Sequence, residues 1–133
     1  MTSRDPAAVG AAVAGAAALD AALVIVFAML GRGSHAEQLS LAGIWQTAWP
    51  FLAGLAIAWI AARAWRSPGA VLRFGVPLWV GTVAIGMVLR VLFTSGGAAL
   101  PFVLVATLVL GLLLVGWRVL RALIVRARAK PQH

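Results

Sequence analysis

Four apolar runs, each close to twenty residues, are separated by short polar breaks, and this spacing leaves few folds open. A helix rises about 1.5 Å per residue, so about twenty residues cross a hydrocarbon core about 30 Å thick. Spans are expected at about 10–31, 41–64, 71–93 and 99–118, followed by a basic tail over 119–133. Membrane-crossing strands would alternate in segments of roughly ten residues, whereas these runs are longer and apolar on every side. The expected fold is all-α, an integral membrane four-helix bundle forming one transmembrane domain. Short loops force an up-down-up-down course.

Composition closes the soluble alternative. With 63% hydrophobic residues, 11% charged residues and a mean hydropathy of +1.02, the chain cannot coat a water-soluble surface. It has no cysteine, which excludes disulfides, thiolate metal sites and thiol nucleophiles.

A net charge of +8 would suggest nucleic acid in a soluble protein, so the placement of the charges has to decide. The cations gather at helix ends: Arg63, Arg66 and Arg73 bracket one short turn, and Arg118, Arg121, Arg126, Arg128 and Lys130 follow the last apolar run. With both termini in the cytoplasm, that side holds these eight and Arg4, nine of the eleven basic residues, leaving Arg32 and Arg90 outside. The expected localisation is the cell (plasma) membrane, multi-pass. Nucleic-acid motifs and aromatic interleaving are missing, so no nucleic-acid partner is expected.

Along the chain, Met1–Pro6 is a polar start, and Ala7 to Leu30 is apolar apart from Asp20. A cleaved signal peptide is the alternative there, but Asp20 would interrupt its apolar region, and the most apolar part, Leu23 to Leu30, lies beyond the best cleavage sites. Gly31 to Ser40 is too polar for hydrocarbon and forms a loop. Trp45 and Trp49 suit a membrane interface, while Pro50 and Pro77 are expected to bend their helices. Pro101 suits the first turn of the fourth span, which is expected to fray into the basic tail.

The third run carries the most information. Arg90, Gly86, Thr82, Trp79 and Gly75 share one helical stripe, and a face with a charge, a hydroxyl and two glycines should meet protein rather than lipid. Gly54, Ala58, Gly81, Gly86 and Gly111 permit close backbone approach, within one copy or between copies of a homo-oligomer.

Asp20 falls near mid-span if its helix begins near Gly10, at the depth of Thr82, or nearer the inner interface if Ala7 to Leu19 leads in along the surface. A charged Asp at the bilayer centre costs about 2.5–3.5 kcal/mol. Protonating a carboxyl of ordinary acidity at pH 7 costs about 4 kcal/mol, so Asp20 is expected to be either neutral or paired. Pairing with Arg90 is stretched, because the depth gap is about 10 Å by helical rise. The candidate polar cluster is Asp20, Arg32, His35, Gln46, Trp49, Trp79, Thr82 and Arg90. Its outer members, two guanidiniums, an imidazole and an indole, would suit an anion. The plainer account makes Arg32 and His35 a solvated loop, Trp49 part of an aromatic belt and Arg90 a snorkelling anchor. No nucleophile with its base, metal-ligand set or phosphate cradle is visible, so no enzyme activity, metal or cofactor is expected.

Asp20, Phe27, the Gly31-Arg32 and His35 loop, Trp49-Pro50-Phe51 with Gly54, Pro68, Gly75, Trp79, Thr82, Gly86 and Arg90 together resemble an uncharacterised (domain of unknown function) family of small prokaryotic four-span integral membrane proteins. The resemblance implies the four-helix membrane fold and supplies no activity. Two functional readings follow. In the first, Asp20, Thr82 and Arg90 serve transport or permeation, since ionisable groups within spans are functional by default. In the second, the chain is a non-transporting structural or accessory protein. It would bind a partner, or anionic lipid through Arg118, Arg121, Arg126, Arg128 and Lys130, each worth about 1 kcal/mol near an anionic leaflet.

Overall fold

The structure, a computed structural model, describes residues 5–32 and 40–129, with Arg32 described by its backbone alone. The described residues form helices α1 (Pro6–Arg32), α2 (Leu41–Ala62), α3 (Val76–Phe93), α4 (Leu100–Leu110) and α5 (Gly116–Ala129), and no strand. A π turn, Val71–Gly75, leads into α3, and a second, Gly111–Val115, joins α4 to α5 without a break. Four stretches are therefore long and apolar enough to cross a membrane: Pro6–Gly31, Leu41–Ala62, Val71–Phe93 and Leu100–Ala129. The chain is a membrane protein.

Local chemistry explains the helix ends. Asp5 Oδ1 accepts the Ala7 N–H at 3.2 Å and Pro6 follows at the first helical position, so α1 begins earlier than a count of apolar residues suggests. Ser40 caps α2 by accepting the Gly43 N–H at 3.0 Å. That helix ends at Arg63, which adopts the left-handed conformation (φ 56°) usual for a terminating residue. Pro50 lies inside α2 without interrupting it. The π turn before α3 sits where the Pro77 ring would otherwise crowd the Arg73 carbonyl. Pro101 occupies the first turn of α4 as its position in the sequence requires.

One expectation needs correction. The fourth span does not fray after residue 118; its helix runs on through the basic segment to Ala129. No proline or glycine interrupts Trp117 to Ala129, and alanine, leucine and arginine all favour helix.

The closest helix pair is α2 with α3. A Cβ on Gly54 would lie 3.0 Å from the Gly86 amide nitrogen and 3.1 Å from the Thr82 carbonyl oxygen, so the two backbones nearly touch. The Phe51 ring lies against Gly86, and Ala58 against Gly81. The stripe defined by the sequence, which runs from the π turn into α3, is turned inward: Gly75, Thr82 and Gly86 are buried, and Trp79 and Arg90 half-buried. Trp79 reaches α4, donating its indole N–H to the Thr107 carbonyl at 2.8 Å. Phe27, Phe51 and Phe102 bring α1, α2 and α4 together, with ring centroids 5.1 to 6.1 Å apart.

Candidate functional site

Asp20 is fully buried in α1, and its carboxylate receives four hydrogen bonds. Oδ1 accepts the Trp117 indole N–H at 2.8 Å and Arg118 Nη1 at 2.8 Å. Oδ2 accepts the Trp59 indole N–H at 2.9 Å and Arg118 Nη2 at 2.6 Å. The Asp20–Arg118 pair is thus bidentate, the geometry in which a guanidinium fork matches a carboxylate.

Arg118 is as deeply buried as its partner. Its Nε donates to the Pro68 carbonyl at 2.8 Å and its Nη1 also donates to the Leu114 carbonyl at 2.9 Å. The guanidinium carbon lies 4.4 Å from the Trp117 ring centroid. Its stem crosses the π turn before α3, where Gly75 leaves room: a Cβ there would lie 2.9 Å from Arg118 Cδ. Asp20, Trp59, Pro68, Gly75 and Arg118 thus tie together all four apolar stretches and the turn between α2 and α3. Both π turns touch the cluster, one through Gly75 and the other through Leu114.

This arrangement meets the conditions under which a buried ion pair is tolerated, namely good geometry with the remaining lone pairs and protons satisfied by further hydrogen bonds. Both carboxylate oxygens carry two donors each, leaving Asp20 no ready lone pair for another ligand. Chemically, the site holds charge in place.

The cluster lies at one end of the helices. From Leu41 to Trp59, from Gly75 to Phe93 and from Leu100 to Arg118 the rise is about 27 Å in each case, close to a hydrocarbon thickness. Trp59, Gly75 and Arg118 thus stand near one end of their spans, and Asp20, about 18 Å of helix before Arg32, reaches them from α1 with its side chain. Arg90 lies at the opposite end of α3, about 22 Å from Gly75 by helical rise.

The other residues named from the sequence do not join this cluster. Arg90 donates Nε to the Gly97 carbonyl at 2.9 Å and stacks 3.8 Å above the Phe102 ring centroid. Thr82 is buried between α2 and α3, and its hydroxyl has no hydrogen-bond partner among the described residues. Gln46 is exposed, and Trp49 is half-buried near Phe93, with ring centroids 6.4 Å apart. His35 and the Arg32 side chain lie outside the described residues.

Arg118 requires a second correction: the sequence reading placed it with the lipid-facing cations, but burial and its contact with Asp20 remove it from any lipid surface. Trp59, Trp117 and the Pro68 carbonyl were missed altogether. A usable signal existed, since a carboxylate inside a span needs donors, and indole and guanidinium donors occur together at the ends of the second and fourth runs.

No curated protein and no solved structure was found similar to the chain. The family described as "Protein of unknown function (DUF3054)" matches residues 17–121, a stretch that holds every member of the Asp20 cluster, and the chain belongs to that family.

Proposed function

We propose that the chain is a non-transporting, multi-pass protein of the plasma membrane with a structural or accessory role, engaging anionic lipid or a partner through its basic end. In this reading the four spans run up-down-up-down, and both termini and the Arg63–Ala70 turn face the cytoplasm. The observation that carries it is the state of Asp20. A transport site must exchange partners, whereas this carboxylate already receives two tryptophan and two arginine hydrogen bonds in a buried setting. Such a network serves to fix the relative positions of helices.

The basic end gives the reading its second part. Arg66, Arg121, Arg126 and Arg128 are exposed on the turn after α2 and on the far half of α5, while Leu120, Leu123 and Ile124 are exposed on the same helical segment. A segment with cations and exposed aliphatic side chains suits the boundary of an anionic leaflet. Deleting residues 127–133, which removes Arg128 and Lys130, should lower retention of anionic lipid or of a partner on purification. Vesicles reconstituted with the intact protein should show no flux sensitive to Asp20→Asn. A flux abolished by that variant in a protein that still folds would overturn the reading.

Transport keeps one observation in its favour, the orphaned Thr82 hydroxyl. Thr82→Val preserves shape and removes the hydroxyl. Loss of a measured flux in that variant would support a permeation path past Thr82; unchanged vesicle behaviour would remove the reason for one.

A further inference from the structure

The half of α1 before Asp20 does not close against the rest of the molecule. Between it, the turn after α2 and the start of α5 lies a cavity of about 630 Å³. Ala8, Ala12 and Ala16, one turn apart on α1, form one wall, and Trp65, Pro68 and Trp117 face them. Arg66 and Arg121 line the same cavity, and Asp5 is the one acid among its described lining residues. Neither guanidinium has a hydrogen-bond or ion-pair partner among the described residues. Arg121 is nevertheless placed: its guanidinium lies against Gly69, where a Cβ would come within 2.7 Å of Cζ.

We propose that this cavity binds one anionic phospholipid from the surrounding leaflet, its phosphodiester between Arg66 and Arg121 and an acyl chain along the alanine wall of α1. The proposal rests on the reading of the basic end given above and adds to the diffuse attraction of its tail one defined site that holds a single lipid. Three features favour this occupant. The cavity's size falls within the range of about 300–1,000 Å³ usual for small-molecule sites. Its walls are apolar, while its two cations are exposed and without a partner among the described residues, which matches a ligand with a fatty body and an anionic end. Its position fits a headgroup, since Trp117 lines it while donating to Asp20, at the level where about 27 Å of helix lies on the other side. The Asp20–Arg118 network thereby holds one wall of the site in place.

The test is a lipid titration of the full-length, delipidated protein in detergent, followed by native mass spectrometry. Phosphatidylglycerol should give a one-to-one adduct in preference to phosphatidylcholine. Arg66→Gln with Arg121→Gln should weaken that adduct about 30-fold, from about 1 kcal/mol per cation. Arg126→Gln with Arg128→Gln removes the same charge from the α5 extension outside the cavity and should leave the affinity within about threefold of the original. Ala12→Trp fills the cavity with every cation retained and should also abolish the adduct. Glycerol phosphate, a headgroup without chains, should not compete. Equal loss from both arginine pairs, with binding retained by Ala12→Trp, would overturn the cavity while leaving a lipid-binding basic end intact. Absence of any anionic preference in the unmodified protein would remove both.

Discussion

A carboxylate and a guanidinium taken out of water each lose several kcal/mol of hydration, and the pair is tolerable only while both stay bonded. Asp20 and Arg118 therefore depend on each other more than either stabilises the protein. Asp20→Leu or Arg118→Met alone should each cost about 3–5 kcal/mol, because the surviving charge is left buried. The double variant should cost less than the worse single one, and unfolding midpoints in a denaturing detergent series would measure the difference. If the two costs simply add, the pair is not the coupled unit described here. Trp59→Phe keeps the aromatic body and removes one donor to the carboxylate, a loss of about 1.5–3 kcal/mol for a hydrogen bond to a charged group. Thr82 should behave in the opposite way. Its hydroxyl is buried without a partner among the described residues, so Thr82→Val is expected to leave stability unchanged or raise it by about 1 kcal/mol in the same assay.

At the scale of elements, α2 and α3 meet through backbone rather than side chains, and this makes their interface intolerant of added volume. A methyl on Gly54 would press on the Gly86 nitrogen and the Thr82 carbonyl, neither of which can rotate away. Gly54→Ala should cost about 1–3 kcal/mol, whereas Gly10→Ala on α1, where nothing lies within 4 Å, should be neutral or stabilise by up to about 1 kcal/mol. Thermal unfolding of the two variants side by side checks the contrast. That this face of the third run meets protein was legible in the sequence, because Gly75, Thr82 and Gly86 repeat at helical spacing and glycines announce close approach, but which helix lies against it was not. The Asp20 cluster was legible only in half. That Asp20 needed a partner followed from its setting in an apolar run. Which arginine supplied it did not follow, because depth depends on where each helix begins and ends. Asp5 and Pro6 start α1 early, and the fourth span continues past Arg118, so Arg118 reads as the first cation of a tail when it is the last buried residue of a helix.

For the whole molecule, the placement of charge and the placement of the cluster make one joint demand on how the chain lies in the membrane. The turn after α2 carries Arg63 and Arg66, the half of α5 beyond Arg118 carries Arg121, Arg126 and Arg128, and the cavity brings Arg66 and Arg121 to one place. At the other end, the turn after α3 holds Thr94, Ser95 and Gly96 without a charge, and Arg90 is taken up by the Gly97 carbonyl and the Phe102 ring. Cations on loops are retained on the cytoplasmic side during insertion, so the Arg-rich end should face inward and the Ser95 turn outward. Because the chain has no cysteine, single substitutions report without background. Ser95→Cys should react with a membrane-impermeant maleimide on intact cells, and Ser67→Cys should react only after the membrane is opened. Labelling of Ser67→Cys on intact cells would reverse the orientation and set the basic end, with its cavity, against the outer leaflet. Equal labelling of both would mean that the two turns share one side, an outcome incompatible with Val71–Phe93 crossing the bilayer once between them.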